Sequence, residues 1–409
     1  MEIRPILSSL RHHKITALLV VLEIALTCAI VCNAVFLIAN RMDRIHLVSG
    51  IAEHELVVVQ VAGIGKDADG AARTVEDLAR LRAIPGVKSV TVTNELPFSN
   101  SSWNSGLKLE RDQKNNTLDA TTYFAGPDFV RTLGLDIVAG RDFKPDEYAD
   151  FKTVADPHFK GEAHVGLITR SLAQRLWPGE SAIGKQFYIG DDPTTVIGVL
   201  ANLARPNDQG GKGAREYTVV DPFNYPYNMG GRYVLRTTRS NRDRVLKAAV
   251  AALKVNGPGR IVIKQNTHTY DDIRADYFRS DRSMTWLLVG VIVALLLVTG
   301  LGIVGLGSFW VAQRRRTIGV RRALGATRGN ILTYFQTENF LLVTIGIVLG
   351  MVLAYGINLF LMQRYELPRL PWAYLPAGAI ALWLIGQLAV LGPALRASHV
   401  PPVVATRSV

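Results

Sequence analysis

Residues 284–330 read MTWLLVGVIVALLLVTGLGIVGLGSFWV and then AQRRRTIGVRRALGATRGN. The first part, 284–311, contains no charged residue. It exceeds the roughly 20 residues that a helix needs to cross a hydrocarbon layer. The second part, 312–330, has six arginines and no acid. An apolar run ending on such a loop sets orientation as well as fold, because Lys and Arg beside span ends stay on the cytoplasmic side.

Working outward, three more runs are as apolar: 15–39, 340–361 and 372–395. The expectation is an α-helical membrane protein with four transmembrane helices, at 15–40, 284–311, 331–362 and 372–395. A large α+β extracytoplasmic domain, 41–283, lies between the first two. The first run is longer than the apolar core of a cleaved signal peptide and no A-x-A site closes it, so it reads as an uncleaved anchor. The formal net charge is +12, from 46 Lys+Arg against 34 Asp+Glu. Three short stretches hold +10 of it: the leader 1–14 (Arg4, Arg11 and Lys14 against Glu2), the link 312–330 and the tail 396–409 (Arg396 and Arg407). All three fall on one side of a four-span topology, which makes both termini cytoplasmic. The loop 363–371 is nearly neutral, with Arg364 and Arg369 against Glu366. Trp310 is expected at the inner edge of the second span, and Trp286, Tyr365, Trp372 and Tyr374 at outer edges. Hydrophobic residues make up 48% and the mean hydropathy is +0.17, which exclude a disordered chain or a collagen-like one. In a soluble protein the excess of basic residues would suggest nucleic acid. Here it records topology, and no nucleic-acid partner is expected.

In the domain, 55–62 and 87–93 read as strands on either side of a helical repeat at 73–84, with Val75, Leu78, Leu81 and Ile84 along one side. Strand, helix and strand recur at 233–237, 242–254 and 260–264. The two ends thus form β-α-β halves of one unit, with 95–230 inserted between them. The Gly- and Pro-rich stretch 206–231 reads as a mobile surface loop. Residues 270–283 read as a helical stalk entering the second span without a break. Both cysteines, Cys28 and Cys32, lie in the first span as small packing residues, so the domain holds no disulfide.

Catalytic patterns are missing. The Gly-Lys pairs at 65–66, 184–185 and 211–212 are followed by Asp67, Gln186 and Gly213, so no Walker A loop is present. No H-E-x-x-H or G-x-S-x-G pattern occurs, and neither catalytic residues, a metal nor a cofactor is expected on this chain. Glu23 lies about 12 Å into the first span at 1.5 Å per residue. It should face a partner helix, be protonated or be functional. Gly300, Gly302, Gly305 and Gly307 permit close helix approach, at a dimer seam or a bend.

The link is the most informative stretch. A lipid-headgroup anchor explains its arginines. It does not explain Ile318-Gly319-Val320 and Ala323-Leu324-Gly325-Ala326 set between them. On a short helix Ile318, Val320, Ala323 and Leu324 form an apolar ridge beside Arg321, Arg322 and Arg328, suited to a groove on a cytoplasmic partner. The run Arg315-Arg316-Thr317-Ile318-Gly319-Val320-Arg321-Arg322-Ala323-Leu324-Gly325-Ala326 resembles the segment R-R-x-E-I-G-[VI]-R-R-A-L-G-A of the MacB/FtsX family of ABC-transporter permeases. Thr317 stands where Glu is usual. Glu338 resembles an acid often found at the start of that family's third span. Pro393-Ala394-Leu395-Arg396-Ala397 with Pro401-Pro402 resembles the closing P-A-x-R-A…P pattern. Residues 129–143 (FVRTLGLDIVAGRDF) and 167–199 are similar to two segments of MacB-type periplasmic domains.

The resemblance implies a bacterial inner-membrane permease without enzymatic activity of its own. Two copies of a separate ATPase, carrying the ATP and magnesium, would dock on the 313–329 segment. A second permease, identical or paralogous, would complete the complex, with a periplasmic adaptor and an outer-membrane channel as further candidates. Stalk and domain would carry the motion outward to export a drug, peptide or lipid-linked molecule. Lipoprotein release, FtsX-like control of a cell-wall hydrolase, and a membrane-anchored receptor or scaffold are the alternatives.

Overall fold

The computed structural model describes residues 14–65, 67–151, 164–207, 212–254, 259–365 and 369–401. Glu2, Arg4, Arg11, Lys66, Gly211, Glu366, Pro402 and Arg407, named above, lie outside them. The chain divides into a helical bundle and an α/β unit, Leu47–Arg279.

Four helices of the bundle are long and apolar enough to cross a membrane: Lys14–Ile45, Arg279–Gln313, Arg328–Tyr365 and Tyr374–Ser398. Small residues set their spacing. Gly346 and Gly350 of the third helix form a G-x-x-x-G pair against the first. A Cβ at Gly346 would lie 2.7 Å from Ile24 Cγ2, and one at Gly350 2.4 Å from Cys28 Cβ. At Gly378 of the fourth helix it would lie 2.5 Å from Cys32 Sγ. The two cysteines therefore serve as small packing residues at these crossings. Ile24, Cys28, Cys32, Val343, Ile347, Ala379 and Leu382 form the bundle core, which Ile303 of the second helix joins.

Buried polar ties fix the register, since hydrocarbon offers them no other partner. Asn33 donates to Ala354 O (3.0 Å), Asn339 donates to Gly386 O (2.9 Å), and the Thr27 and Thr299 hydroxyls meet at 2.9 Å. Asp281, at the start of the second helix, accepts from Arg41 of the first at 2.6 Å and lies 3.5 Å from Arg44.

The α/β unit begins with a sheet ordered 260–262, 56–63, 232–236, 89–93, each pair antiparallel, with 268–269 beside 56–63. Helices Gly70–Arg82 and Arg242–Lys254 cover it. This is a split β-α-β arrangement, built from the two ends of the segment. Leu78 and Leu81 are buried as the helical spacing requires, whereas Val75 is 66% exposed. Val75 instead lines a cleft of about 410 Å³ with Leu78, Val92, Tyr225 and Pro226.

The insertion is a seven-stranded sheet in which six strands close into a ring, because 192–200 pairs with both 164–169 and 186–189. The mobile-loop reading of 206–231 is overturned here. Strand Thr218–Asp221 runs between Leu118–Phe124 and His164–Thr169, and Phe223, Tyr225 and Tyr227 are buried. The β-branched run Thr218-Val219-Val220 was hidden by the glycines and prolines on either side of it.

The stalk reading changes too. Helix Tyr270–Tyr277, capped by the Thr269 hydroxyl, ends at Phe278, and a new helix starts at Arg279. Arg274 donates to Glu53 at 2.5 Å and to Leu47 O at 2.7 Å, and its guanidinium lies 4.8 Å from the Phe98 ring. Phe98 has φ +57° and only 2% exposure, and its ring meets those of Phe278 and Tyr277 at 5.1 and 5.5 Å.

Candidate functional site: the basic link of the bundle

The second helix stops at Gln313, and a short helix, Arg315–Ala323, follows. Its end is written in the sequence. Gly325 has φ +99°, a conformation that costs a glycine little. Gly325 N–H reaches Arg322 O (3.2 Å) and Ala326 N–H reaches Arg321 O (3.0 Å), the paired bonds of a Schellman stop. Thr327 then restarts a helix, its hydroxyl accepting from Asn330 N–H at 3.2 Å. A rigid helix, a tight stop and a capped restart hold the link in one conformation.

At about 100° per residue, the short helix has two faces. Ile318 and Gly319 point inward; Ile318 packs with Val311, Ile331, Phe335, Ala394 and Ala397. Arg322, on the same face, donates to Ser398 O and Val400 O, both at 3.0 Å, and so joins the link to the end of the fourth helix. Arg321 lies 4.7 Å over the Tyr334 ring. The opposite face carries Arg316, Thr317, Val320, Ala323 and Leu324, all exposed. Leu324 is 83% exposed and Val320 43%. Gly325 and Arg328 extend this face, and Ala326 is half-buried.

The expected ridge is therefore narrower. Val320, Ala323 and Leu324 remain on it, while Ile318 anchors it from behind. Arg321 and Arg322 brace the helix from within the chain. Arg315 is exposed and lies at the mouth of a pocket.

Glu338, expected as an intramembrane acid at the start of the third span, is 1% exposed and accepts two bonds from Arg314, at 3.0 and 2.8 Å. Arg314 also lies 5.9 Å from the Trp310 ring, and Trp310 is buried with Ala17, Val21 and Leu342. This pair ties the break after the second helix to the third. Its arginine was not singled out in the sequence, where it reads as one of six. The signal was Glu338 itself, since an acid within an apolar helix requires a partner.

Glu23 is half-buried against the second helix, where a Cβ at Gly302 would lie 2.8 Å from both carboxylate oxygens. Gly302 thus makes room for Glu23. Gly300 and Gly307 instead face Ile385 and Pro393 of the fourth helix, and Gly305 faces open space.

Among the described residues no group of three His, Cys, Asp or Glu side chains is placed to hold a metal ion.

The family description "MacB-like periplasmic core domain" matches residues 17–254, more than half of the chain, and "FtsX-like permease C-terminal" matches 289–402. The chain belongs to the MacB/FtsX family of ABC-transporter permeases. It is a multi-pass membrane protein with a MacB-like periplasmic domain between its first two spans.

Among its relatives, a macrolide export ATP-binding/permease protein MacB from Chromobacterium violaceum is 27% identical over 302 residues, 71% of this chain and 44% of that one. An ABC transporter permease of Bacillus subtilis, YknZ, is 25% identical over 82% of this chain and 79% of its own length. A MacB from Shewanella sp. is 26% identical over 97% of this chain and 59% of its own. This chain thus spans about half the length of those MacB relatives. The periplasmic region of MacB from Actinobacillus actinomycetemcomitans aligns at 15% identity over 57% of this chain and 97% of that one, with a TM-score of 0.34.

Proposed function

We propose that this MacB/FtsX permease transmits the motion of a separate ABC ATPase to its periplasmic domain, and that the exposed face of helix Arg315–Ala323 is the contact. The observation that carries this reading is Leu324, 83% exposed at the end of a rigid helix, with Val320 and Ala323 beside it. An aqueous loop gains nothing from such a ridge. A groove on a partner does, because fully burying a Leu side chain contributes roughly 1.5–3 kcal/mol. Arg316 and Arg328 flank the ridge as the charged rim of the contact. Arg314–Glu338 and Arg322–Ser398 turn a push on this helix into movement of the third and fourth spans, because neither tie leaves the helix free to swing alone.

Two ATPase copies, each with its ATP and magnesium, and a second permease complete the assembly in this reading, with the ridge facing the cytoplasm of a bacterial inner membrane. Adaptor and outer-membrane partners would extend the path where two membranes are present. The cleft beside Val75, walled by Leu78, Val92, Tyr225 and Pro226, suits an apolar portion of an envelope substrate.

The test is co-purification of the ATPase subunit with the full chain. Leu324→Asp and Val320→Asp should each abolish capture and the permease-dependent change in ATP turnover, with the size-exclusion profile unchanged. Undiminished capture by the Leu324→Asp, Val320→Asp double variant would remove the ridge from the contact.

A further inference from the structure

A pocket of about 470 Å³ opens where the second and fourth helices reach the basic end of the bundle. Val311, Pro393 and Val400 form its apolar floor, and Arg315, Arg396 and His399 stand around it. Among the described residues no carboxylate lines it.

Three neighbouring arginines of the link already have partners: Arg314 on Glu338, Arg321 on Tyr334, and Arg322 on two carbonyls. Arg315 and Arg396 form no ion pair among the described residues. They come from different helices and converge on one opening. The His399 Nδ1 lies 2.8 Å from Leu395 O, and because a carbonyl only accepts, this nitrogen carries the proton. With that nitrogen engaged by the backbone, the two guanidinium groups supply the pocket's permanently charged donors.

The position selects the ligand. Phe309 and Leu395, 54% and 48% exposed, are on the same helical turns as Ser308 and Arg396 of the pocket wall and add exposed apolar surface to this end of the bundle. A group with an anionic head and long hydrocarbon chains matches both features. We propose that this pocket holds the phosphate of an anionic phospholipid from the leaflet on the basic side of the bundle, with Arg315 and Arg396 as its charged donors. The site lies off the exposed ridge and stands whether or not the ridge binds an ATPase. The arginines of the link thus divide by role, with Arg315 reading lipid while Arg316 and Arg328 border the ridge.

The experiment uses the full-length chain in detergent, offered equal amounts of phosphatidylglycerol and phosphatidylcholine, with bound lipid counted by native mass spectrometry. The wild type should retain phosphatidylglycerol in preference, and Arg315→Gln with Arg396→Gln should reduce that preference about thirtyfold, at roughly 1 kcal/mol per basic residue. Arg316→Gln with Arg328→Gln removes the same charge outside the pocket and should leave the preference unchanged. An equal loss in both double variants would mean diffuse attraction and would overturn the pocket. Displacement of the lipid by millimolar inorganic phosphate would assign the site to a free anion and overturn the lipid. Should the Gln pair fail to fold, Arg315→Lys with Arg396→Lys keeps the charge but not the fork. A several-fold weaker preference then supports the site, and an unchanged one counts against it.

Discussion

Asp221 offers the sharpest test of the periplasmic domain. It ends strand Thr218–Asp221, its side chain is 4% exposed, and its Oδ1 has no hydrogen-bond partner among the described residues. A Cβ on Gly166 would lie 3.3 Å from that oxygen, so the neighbouring strand leaves little room for water. Burial alone, with no opposing charge, raises its pKa from the ordinary 3.8 to about 7. The folded domain therefore holds this proton more tightly than the unfolded chain does. Its contribution to stability is complete below about pH 3, falls as the pH rises, and reaches its floor above about pH 8. Three pH units correspond to ~4 kcal/mol in all, of which ~2 kcal/mol is lost between pH 5 and pH 7. The assay is amide hydrogen exchange on the full-length chain, following peptides that cover 218–224 and corrected for the intrinsic pH dependence of exchange. Wild-type protection should fall on the order of 100-fold from pH 5 to pH 8. Asp221→Asn cannot ionise and should remove most of that dependence. Constant protection in the wild type would refute the reasoning, and so would an Asn variant less protected than wild type at pH 8.

Three other expectations concern the bundle and the stalk. Replacing either Arg314 or Glu338 with Gln should lower detergent-solubilised stability by about 3–5 kcal/mol, as for a buried pair left with one charge. The Arg314→Met, Glu338→Met double variant should recover most of the loss, and a deficit equal to the sum of the singles would argue against pairing. Gly325→Ala places a side chain at φ +99° and should cost about 1–3 kcal/mol. Its signature is faster amide exchange at Ala326, with unchanged exchange there showing that the stop does not depend on glycine. Phe98→Ala removes the ring that Phe278, Tyr277 and Arg274 surround. It should cost about 3 kcal/mol and raise exchange across 270–278 roughly a hundredfold. A stalk as protected as in the wild type would show that Phe98 is not what holds it.

The four spans were legible because hydropathy over some 20 residues leaves no competing structure, and the two β-α-β ends because strand and helix periods differ. The link was legible in outline, as a short helix with an apolar ridge among arginines, whereas the stop at Gly325 and the restart at Thr327 came from the structure. What could not be read depends on contacts between distant residues. Nothing near Ile318 says that it faces inward, since that is decided by Val311, Phe335 and Ala394 from three other helices. Val75 has helical spacing and still meets a cleft. The strand at 218–221 was obscured by its flanks, and the break at Phe278 has no Gly or Pro to mark it. It coincides with the aromatic contact to Phe98, some 180 residues earlier in the chain.

The split sheet bears on how the protein is made. Leu56 pairs with Arg236, nearly the whole length of the domain away, and strand 56–63 has all its neighbours from 232 onward. Strand 56–63 therefore cannot complete its pairing before residues from 232 onward are present, whereas the closed ring within 104–221 draws on its own strands. The sheet that carries the stalk thus depends on the latest part of the domain to be made. A lesion in 232–269 would leave an early, β-branched strand exposed to aggregation and to envelope proteases.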